Sequence, residues 1–367
     1  MFKKTLVALL AILMVVAMFA GCAKADVDEP VVDEPAVDEP AGEGGEEAAF
    51  TPAAEIEVPA GKVSLSMPVD QVAEKELKIA TCMVQNNPFG AAVLVGQNWA
   101  KEILADRNCV VDCISVEDFD AQKWANAIQN LIDAQYDAIC YFGIGEALIP
   151  VTQAGLDAGI KMITFNTDAA TADTEPGEGL ALGFYNQNGF EGGKQCGTAL
   201  MEAMGGAGEY IIITGDFAVL GHELRRTGAR SILDANPDMI LKGEFENDDK
   251  SETAYSVMSD AIVANPNLAG VYVTAGGPSG AAKAIEDAGK VGEIKMVCHD
   301  VLAEIAPYVA SGTVSACLDQ DPFNQGCQPV IDAFNNIVAG VEIPKVTFYE
   351  GTMAHPEDVE SLFPELF

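Results

Sequence analysis

The sequence has few basic residues, and this shortage excludes one class of partner. Only 20 of its 367 residues are lysine or arginine, against 56 aspartates and glutamates, so the formal net charge is −36 at pH 7. A nucleic-acid-binding surface needs clustered cations that contact phosphates, so this balance argues against nucleic acid. An anionic small ligand would also be repelled unless nearby arginines offset the field.

Residues typical of catalytic and metal sites are also scarce. The three histidines are His222, His299 and His355, and no H-E-x-x-H motif, P-loop or nucleophile elbow is present. No Cys-x-x-Cys pair occurs, and Cys109 and Cys113 have no histidine nearby, so a zinc site is not indicated. We therefore expect a protein that is not an enzyme and that uses neither a metal nor a cofactor.

The N-terminus has the pattern of an export signal. Two lysines precede an apolar run over residues 6–20, which is too short for a comfortable membrane span and is typical of a secretory signal. The run ends in Phe19-Ala-Gly-Cys22, which resembles a bacterial lipobox with phenylalanine in place of the usual leucine. The resemblance implies a signal peptide over 1–21, a lipidated Cys22 and an extracytoplasmic protein anchored to the cell membrane. A simple secreted protein is the alternative.

An acidic, proline-rich segment follows the signal. Residues 26–57 contain 12 acids and no base, and Val-Asp-Glu-Pro occurs at 27–30, 32–35 and 37–40. Regular prolines with like charges between them cannot build a core and keep a chain extended. We predict that residues 22–74 form the lipidated cysteine and a tether, and that the folded part begins near residue 75.

From Leu77 onward, short apolar runs alternate with amphipathic patterns, which predicts βαβ units, parallel sheets and an α/β fold with two Rossmann-like lobes. The predicted strands are 77–84, 108–115, 137–142, 160–165, 179–184, 209–213, 239–245, 269–274, 293–298 and 313–319. The predicted helices are 89–106, 119–134, 147–158, 190–204, 219–235, 251–264, 278–288, 301–311 and 323–339. Two lobes of about five strands each are more economical than one very wide sheet.

In open α/β sheets, ligands bind at the carboxyl ends of the strands. Amide, carboxylate and aromatic side chains follow the predicted strands, and few of these residues are basic. They occur at 85–89, 141–143, 166–168, 214–217, 246–249, 275–278, 299–300 and 320–322. Carboxylates and amides exchange paired hydrogen bonds with neighbouring hydroxyls, and aromatic rings pack on the apolar face of a sugar. A polyhydroxylated ligand fits this set, and an amine-bearing ligand fits the carboxylates equally well.

Several of these residues also have a purely structural interpretation. Asn87 before Pro88 is as consistent with a turn as with a ligand contact, and Phe89 at a helix start is as consistent with a core contact. Asp300 could cap the following helix. A catalytic role for Cys298-His-Asp300 is disfavoured, because neighbouring residues of a strand point to opposite faces.

The order of several motifs resembles the type I periplasmic sugar-binding proteins, in particular the ribose- and galactose-binding group, and the effector domains of the LacI-type repressors. The motifs are Asn86-Asn-Pro-Phe89, Asn166-Thr-Asp168, Gly183-Phe-Tyr-Asn186, Ala264-Asn-Pro-Asn-Leu-Ala-Gly-Val-Tyr-Val273, Val297-Cys-His-Asp300 and Ala316-Cys-Leu-Asp-Gln320. The resemblance spans about 77–350. A secretion signal and no helix-turn-helix precedes this region, so the repressor interpretation is set aside.

The resemblance implies a ligand site between the two lobes. Within it, Asn87 would hydrogen-bond the sugar and Phe89 would stack on it. The remaining residues implied to contact ligand are Tyr141, Asn166, Asp168, Glu223, Arg225, Asp249, Asp300 and Gln320. Tyr141 takes a position that is often Asn or Asp in the family, and Asp249 or its neighbour takes one that is often aromatic. Two departures bear on the ligand: Glu223 falls where the family often has an arginine, with Arg225 and Arg226 close by, and Ala275-Gly-Gly277 replaces a frequent strand-end asparagine.

The resemblance implies a type I periplasmic binding protein fold, whose lobes are joined by a three-strand hinge and close over the ligand. We predict one lobe from 75–182 plus 321–349 and the other from 183–320 plus 350–367. The function implied is that of a monomeric sugar- or polyol-binding lipoprotein of an ABC importer, with the permease subunits as partners. The alternatives are a ligand sensor for a chemoreceptor or kinase, and a binder of an amine-bearing or nucleoside-like ligand.

Overall fold

The computed structural model describes residues 50–85, 87–171 and 173–367. The predicted signal peptide, Cys22 and the first part of the predicted tether lie outside these residues. Among the described helices, none is both long and apolar enough to cross a bilayer.

Two six-stranded sheets carry the fold within the described residues. The strands are β1 (Leu77–Met83), β2 (Cys109–Ser115), β3 (Ala138–Phe142), β4 (Lys161–Phe165), β5 (Gly183–Gln187), β6 (Gly208–Thr214), β7 (Met239–Glu246), β8 (Leu268–Val273), β9 (Lys295–His299), β10 (Ala316–Asp319), β11 (Val346–Tyr349) and β12 (Thr352–Ala354). Their order is β11-β5-β4-β3-β1-β2 in the first sheet and β12-β10-β9-β8-β6-β7 in the second. Every strand pair is parallel except β10 with β12, which is antiparallel.

Helices cover the faces of both sheets, as the alternating pattern predicts. They are α1 (Pro88–Leu104), α2 (Ala121–Asp133), α3 (Ile149–Asp157), α4 (Gly189–Ala203), α5 (Leu220–Leu233), α6 (Ser251–Ala264), α7 (Pro278–Asp287), α8 (Ala306–Ala310), α9 (Pro322–Ala339) and α10 (Val359–Leu362). The helix predicted over 301–311 is much shorter, because a turn at Leu302–Ile305 delays its start to Ala306. The short strands β11 and β12 were not predicted, since three or four residues carry too little periodicity.

The chain crosses between the sheets three times, after β5, after β10 and between β11 and β12. This is the predicted three-strand hinge. One predicted boundary is wrong, because β5 pairs with β4 and β11 in the first sheet. The second lobe therefore begins after Gln187 and not at residue 183.

Residues 50–74 pack onto the first lobe, which corrects the prediction that the tether extends to residue 74. Ile56, Val58, Met67 and Val69 are apolar and contact the core of the first lobe. The buried guanidinium of Arg107 fixes the same segment, because it donates hydrogen bonds to the carbonyl oxygens of Thr51 and Val69. Because this part of the segment has apolar residues between its acids, it can pack against the first lobe.

Helices α1 and α9 pack in unusually close contact through two glycines. A Cβ atom on Gly96 would lie 2.0 Å from the carbonyl oxygen of Phe323, and one on Gly326 would lie 2.2 Å from the carbonyl oxygen of Val93. Backbone therefore meets backbone where α9 leaves the hinge, and side chains have no room there. α9 is buried along most of its length and anchors the second crossing to the first lobe.

Candidate functional site

A cavity of about 320 Å³ lies between the carboxyl ends of the two sheets. Seven of the ten ligand-contact residues predicted from the sequence line it. They are Asn87, Phe89, Asn166, Arg225, Asp249, Asp300 and Gln320. Polar groups from both lobes and from the hinge therefore converge on one space, as expected for parallel strands that end at the same edge.

The wall contributed by the first lobe is aromatic. Phe89, Phe119 and Phe142 line the cavity, and the ring centroids of Phe119 and Phe142 are 5.3 Å apart. Phe119 is half exposed although it lies in a loop beside a packed sheet, which leaves its ring accessible from the cavity. Aromatic faces of this kind can pack against the C–H face of a ring-shaped ligand.

Asn87 both caps a helix and borders the cavity. It is the N-cap of α1, with Oδ1 accepting a hydrogen bond from the backbone N–H of Gly90 at 2.6 Å, and it also lines the cavity. Pro88 occupies the first helical position, where its missing N–H costs no hydrogen bond. The cap therefore fixes the orientation of the amide at the cavity edge.

Tyr141 is not at the cavity, and its neighbour Phe142 is. Tyr141 is fully buried, with its hydroxyl 2.5 Å from Oγ1 of Thr152. Successive residues of β3 point to opposite faces of the sheet, so only one of the two can face the cavity. The structure therefore does not bring Tyr141 to the cavity, where Phe142 lies instead.

Asp168 and Glu223 also lie away from the cavity. Asp168 accepts hydrogen bonds from Oγ1 of Thr164 at 2.7 Å and from the backbone N–H of Ala169 at 2.8 Å, which stabilise the loop after β4. Glu223 pairs with Arg226, one turn further along α5. These two predicted positions are therefore structural.

The wall contributed by the second lobe is polar and charged. His222 and Arg225 are three residues apart on α5 and therefore share one face of the helix, which points into the cavity. Arg225 donates to the carbonyl oxygen of Thr274 at 3.0 Å and to Oε1 of Gln320 at 2.9 Å. His222 was not predicted from the sequence, although the helical spacing from Arg225 is the signal that could have identified it.

Gln320 connects the two lobes at the hinge. Its Oε1 accepts from Nδ2 of Asn166 at 3.2 Å, in the first lobe, and from Arg225, in the second lobe. Its Nε2 donates to Oδ1 of Asp300 at 2.5 Å. Asn166 and Asp300 have φ values of 63° and 70°, a left-handed conformation that asparagine and aspartate tolerate better than most residues. The amide of Gln320 thus orients side chains from both walls.

The electrostatics of the cavity are set by burial and by Arg225. Burial raises the pKa of Asp300, and the nearby Arg225 and the hydrogen bond from Gln320 oppose this rise. Burial lowers the pKa of His222, and the carboxylate of Asp249 opposes the fall. Three carboxyl groups, of Asp249, Asp300 and Glu304, line the cavity with a single guanidinium, so the cavity does not favour an anionic ligand.

The histidine in Cys298-His-Asp300 faces the interior of the second lobe. His299 is fully buried, and its Nε2 lies 2.8 Å from the hydroxyl of Tyr272. Asp300 lines the cavity instead. The two side chains point in different directions, as strand alternation predicts, and they do not form a catalytic pair.

Relatives with similar sequences bear the names of sugar-binding proteins. The chain is 26% identical over 188 residues to the D-apiose import binding protein of Paraburkholderia graminis, a match that covers 51% of this chain and 57% of that protein. It is 25% identical over 220 residues to the D-ribose/D-allose-binding protein of Pseudomonas aeruginosa, covering 59% of this chain and 68% of that one.

Solved structures show the same fold. An ABC transporter periplasmic solute-binding protein from Actinobacillus succinogenes with bound D-allose superposes with a TM-score of 0.70 at 24% identity, covering 78% of this chain and 99% of that one. A solute-binding protein from Burkholderia graminis in complex with D-arabinose gives a TM-score of 0.71 at 19% identity, covering 79% and 98%. The predicted type I periplasmic binding protein fold is confirmed.

A sequence profile of the family described as periplasmic binding protein domain matches residues 81–338. The match runs from β1 to the end of α9 and includes all seven of the predicted residues that line the cavity. Because it covers more than half of the chain, this protein is a member of the periplasmic binding protein domain family.

Proposed function

We propose that the protein is the solute-binding component of an ABC importer and that it binds a neutral sugar or related polyol between its lobes. The observation that best supports this proposal is that the two walls of the cavity differ in chemistry. One wall has aromatic rings, and the other has carboxylates, an imidazole and a guanidinium. A sugar ring presents C–H groups on one face and hydroxyls around its edge, which suits both walls. The names of the sequence relatives support the same class of ligand.

Ligand binding would be coupled to closure of the two lobes. Gln320 lies at the second hinge crossing and contacts Asn166 on one side and Arg225 and Asp300 on the other. A ligand that contacts both walls stabilises the conformation in which the walls are near each other, and so shifts the population toward the closed form. The closed form is the state that would engage the permease. No bond of the sugar needs to be broken, so a bound sugar should be recovered unchanged.

The ligand class can be tested by thermal unfolding with a panel of D-ribose, D-allose, D-galactose, myo-inositol, a purine nucleoside, glucosamine and glucuronate. A neutral sugar at a hundred times its Kd is expected to add about 2.7 kcal/mol to the free energy of unfolding. Glucosamine and the nucleoside address the amine-bearing and nucleoside-like alternatives. A shift produced by glucuronate and by no neutral sugar contradicts the proposal.

We also propose that the protein is exported and held at the cell membrane by a lipid on Cys22, which rests on the sequence of residues 1–22. Replacement of Cys22 by alanine is expected to move the protein from the membrane fraction to the soluble extracytoplasmic fraction, because one lipidated cysteine is the only anchor proposed. Quantitative immunoblotting of the two fractions measures this. Equal membrane retention of the wild type and the variant rules the anchor out.

A further inference from the structure

His222 and Asp249 lie side by side at the cavity without a direct hydrogen bond between them. Nε2 of His222 and Oδ2 of Asp249 are 3.8 Å apart, which is too far for a good direct hydrogen bond. Both side chains line the cavity. One hydroxyl oxygen placed beside both atoms would be within hydrogen-bonding distance of each.

The imidazole of His222 has its tautomer fixed by the backbone. Its Nδ1 accepts a hydrogen bond from the backbone N–H of Asp216 at 3.2 Å. A neutral imidazole has one donor and one acceptor nitrogen, so the proton is on Nε2. His222 therefore presents an N–H donor on the side of Asp249.

Asp249 is held in place by a strained and braced turn. Asp248 and Asp249 both have φ values of 54°, and consecutive left-handed residues other than glycine are uncommon. The backbone N–H of Gly276 donates to Oδ1 of Asp249 at 2.9 Å, and the buried Asn247 donates to the carbonyl oxygen of Gly276 at 2.7 Å. One carboxylate oxygen is thus occupied by the protein, and the other is the one next to His222.

The end of β6 leaves just enough room for this arrangement. A Cβ atom on Gly215 would lie 2.3 Å from Oδ1 of Asp249 and 2.7 Å from Nδ1 of His222. Any larger residue would separate the two side chains. Three features therefore converge on the pair: the fixed tautomer, the strained turn and the glycine.

We propose that His222 is a specificity-determining residue, which together with Asp249 recognises one hydroxyl group of the ligand. The hydroxyl oxygen accepts from Nε2–H of His222, and its hydrogen is donated to Oδ2 of Asp249. The inference rests on the proposed sugar-binding function and adds a requirement for a hydroxyl at one ring position. A donor and an acceptor that are enclosed with the ligand and built around its hydroxyl discriminate strongly against an analogue that lacks it.

The recognition predicts a pH dependence. Protonation of His222 puts a hydrogen on Nδ1, opposite the N–H of Asp216, and draws Asp249 toward the imidazolium. The titratable and charged groups around the ring are Asp216, Asp249, Asp300, His299 and Arg225. Burial lowers the pKa of His222, so affinity should be full at neutral pH and should fall as the pH drops through that lowered value.

Two variants separate the hydrogen bond to ligand from the hydrogen bond to Asp216. The amide nitrogen of glutamine in His222→Gln reaches the position of Nε2, whereas the amide oxygen of asparagine in His222→Asn replaces Nδ1 and cannot reach the ligand. The probes are D-ribose, D-allose and myo-inositol, and the tightest binder to the wild type is titrated calorimetrically into all three proteins. We expect affinity to fall about tenfold in His222→Asn and to stay within about threefold in His222→Gln.

A deoxy series of the same probe locates the hydroxyl. In the wild type, removal of one particular hydroxyl should weaken binding at least about tenfold. In His222→Asn the same removal should cost less, because the bond from His222 is already lost and only the bond to Asp249 is left to lose. The fall in affinity at acid pH should be smaller in His222→Gln than in the wild type. Equal affinity of the wild type and His222→Asn, with sugar bound to both, overturns this inference and leaves the proposed function intact. Failure of all three probes and of D-galactose to bind the wild type overturns both.

Discussion

Gly326→Ala is expected to lower the free energy of unfolding by about 3 kcal/mol, at the upper end of the usual cost of overpacking. The added Cβ would lie 2.2 Å from the carbonyl oxygen of Val93 and 3.0 Å from the backbone nitrogen of Gln97. Both are backbone atoms, so no side chain can rotate away and the axes of α1 and α9 must separate. Urea unfolding monitored by circular dichroism measures the change.

A matched control is available in α5. Gly221 is also helical, and no atom lies within 4 Å of the position that an added Cβ would take there, so Gly221→Ala should be neutral or slightly stabilising, by up to about 1 kcal/mol. Gly96→Ala should behave like Gly326→Ala, since its Cβ meets the carbonyl oxygen of Phe323. If Gly326→Ala is as stable as Gly221→Ala, the two helices are not in the close contact described.

The close packing of α1 and α9 also bears on the hinge. α9 begins at Pro322, two residues after Gln320, and its first turn is capped by Asp321, whose Oδ1 accepts from the backbone N–H of Asn324 at 3.1 Å. A shift of α9 away from α1 would therefore move the second crossing and the amide of Gln320 with it. The helix pair sets the position from which the lobes rotate.

The alternation of apolar runs with amphipathic helices was enough to predict two α/β lobes with parallel sheets, whereas the type I periplasmic binding protein fold was implied by the family resemblance. Parallel strands in this architecture are covered by helices on both faces, so runs such as Ile211–Ile213 and Val271–Val273 are continuous and easy to recognise. Short edge strands were not recognisable, and β5 was assigned to the wrong lobe. Which sheet a strand joins depends on partners far along the chain, here β4 and β11, and one sequence does not reveal that pairing.

The sequence predicted which strand ends border the cavity better than it predicted which individual side chains line it. Six of the seven predicted residues that line the cavity follow strand ends, because the ends of parallel strands meet at one edge, and the seventh, Arg225, lies on α5. Tyr141 and Glu223 are close in sequence to residues that line the cavity, but their side chains point elsewhere. Neighbouring residues of a strand face opposite sides of the sheet, and residues one or two apart on a helix lie on different faces. The helical spacing from Arg225 could have placed His222 at the cavity, but the orientation of its ring depends on the backbone N–H of Asp216 in the loop before α5, and that hydrogen bond has no signature in the sequence.

Asp300→Asn is expected to weaken sugar binding by about 3 kcal/mol, or roughly a hundredfold. Asp300 lines the cavity, and Gln320 already donates to its Oδ1, so Oδ2 is the oxygen left to accept from a ligand hydroxyl. In the variant, an amide oxygen can keep the bond from Gln320, but an NH₂ group then replaces the acceptor. Asparagine tolerates the left-handed backbone at this position, so the fold should be preserved.

Asp168→Asn provides the control for this experiment, because the sequence predicts the same role for both aspartates and the structure separates them. Asp168 accepts hydrogen bonds from Thr164 and Ala169 outside the cavity, and an amide oxygen can accept both. We expect calorimetric titration with the best sugar to give the wild-type Kd for Asp168→Asn and a roughly hundredfold higher Kd for Asp300→Asn. The ligand-free melting temperatures of the two variants should be similar. Equal losses of affinity would support the arrangement that the sequence alone predicted, in which both aspartates contact the ligand. A loss confined to Asp168→Asn would mean that Asp168, and not Asp300, is the hydroxyl-binding carboxylate.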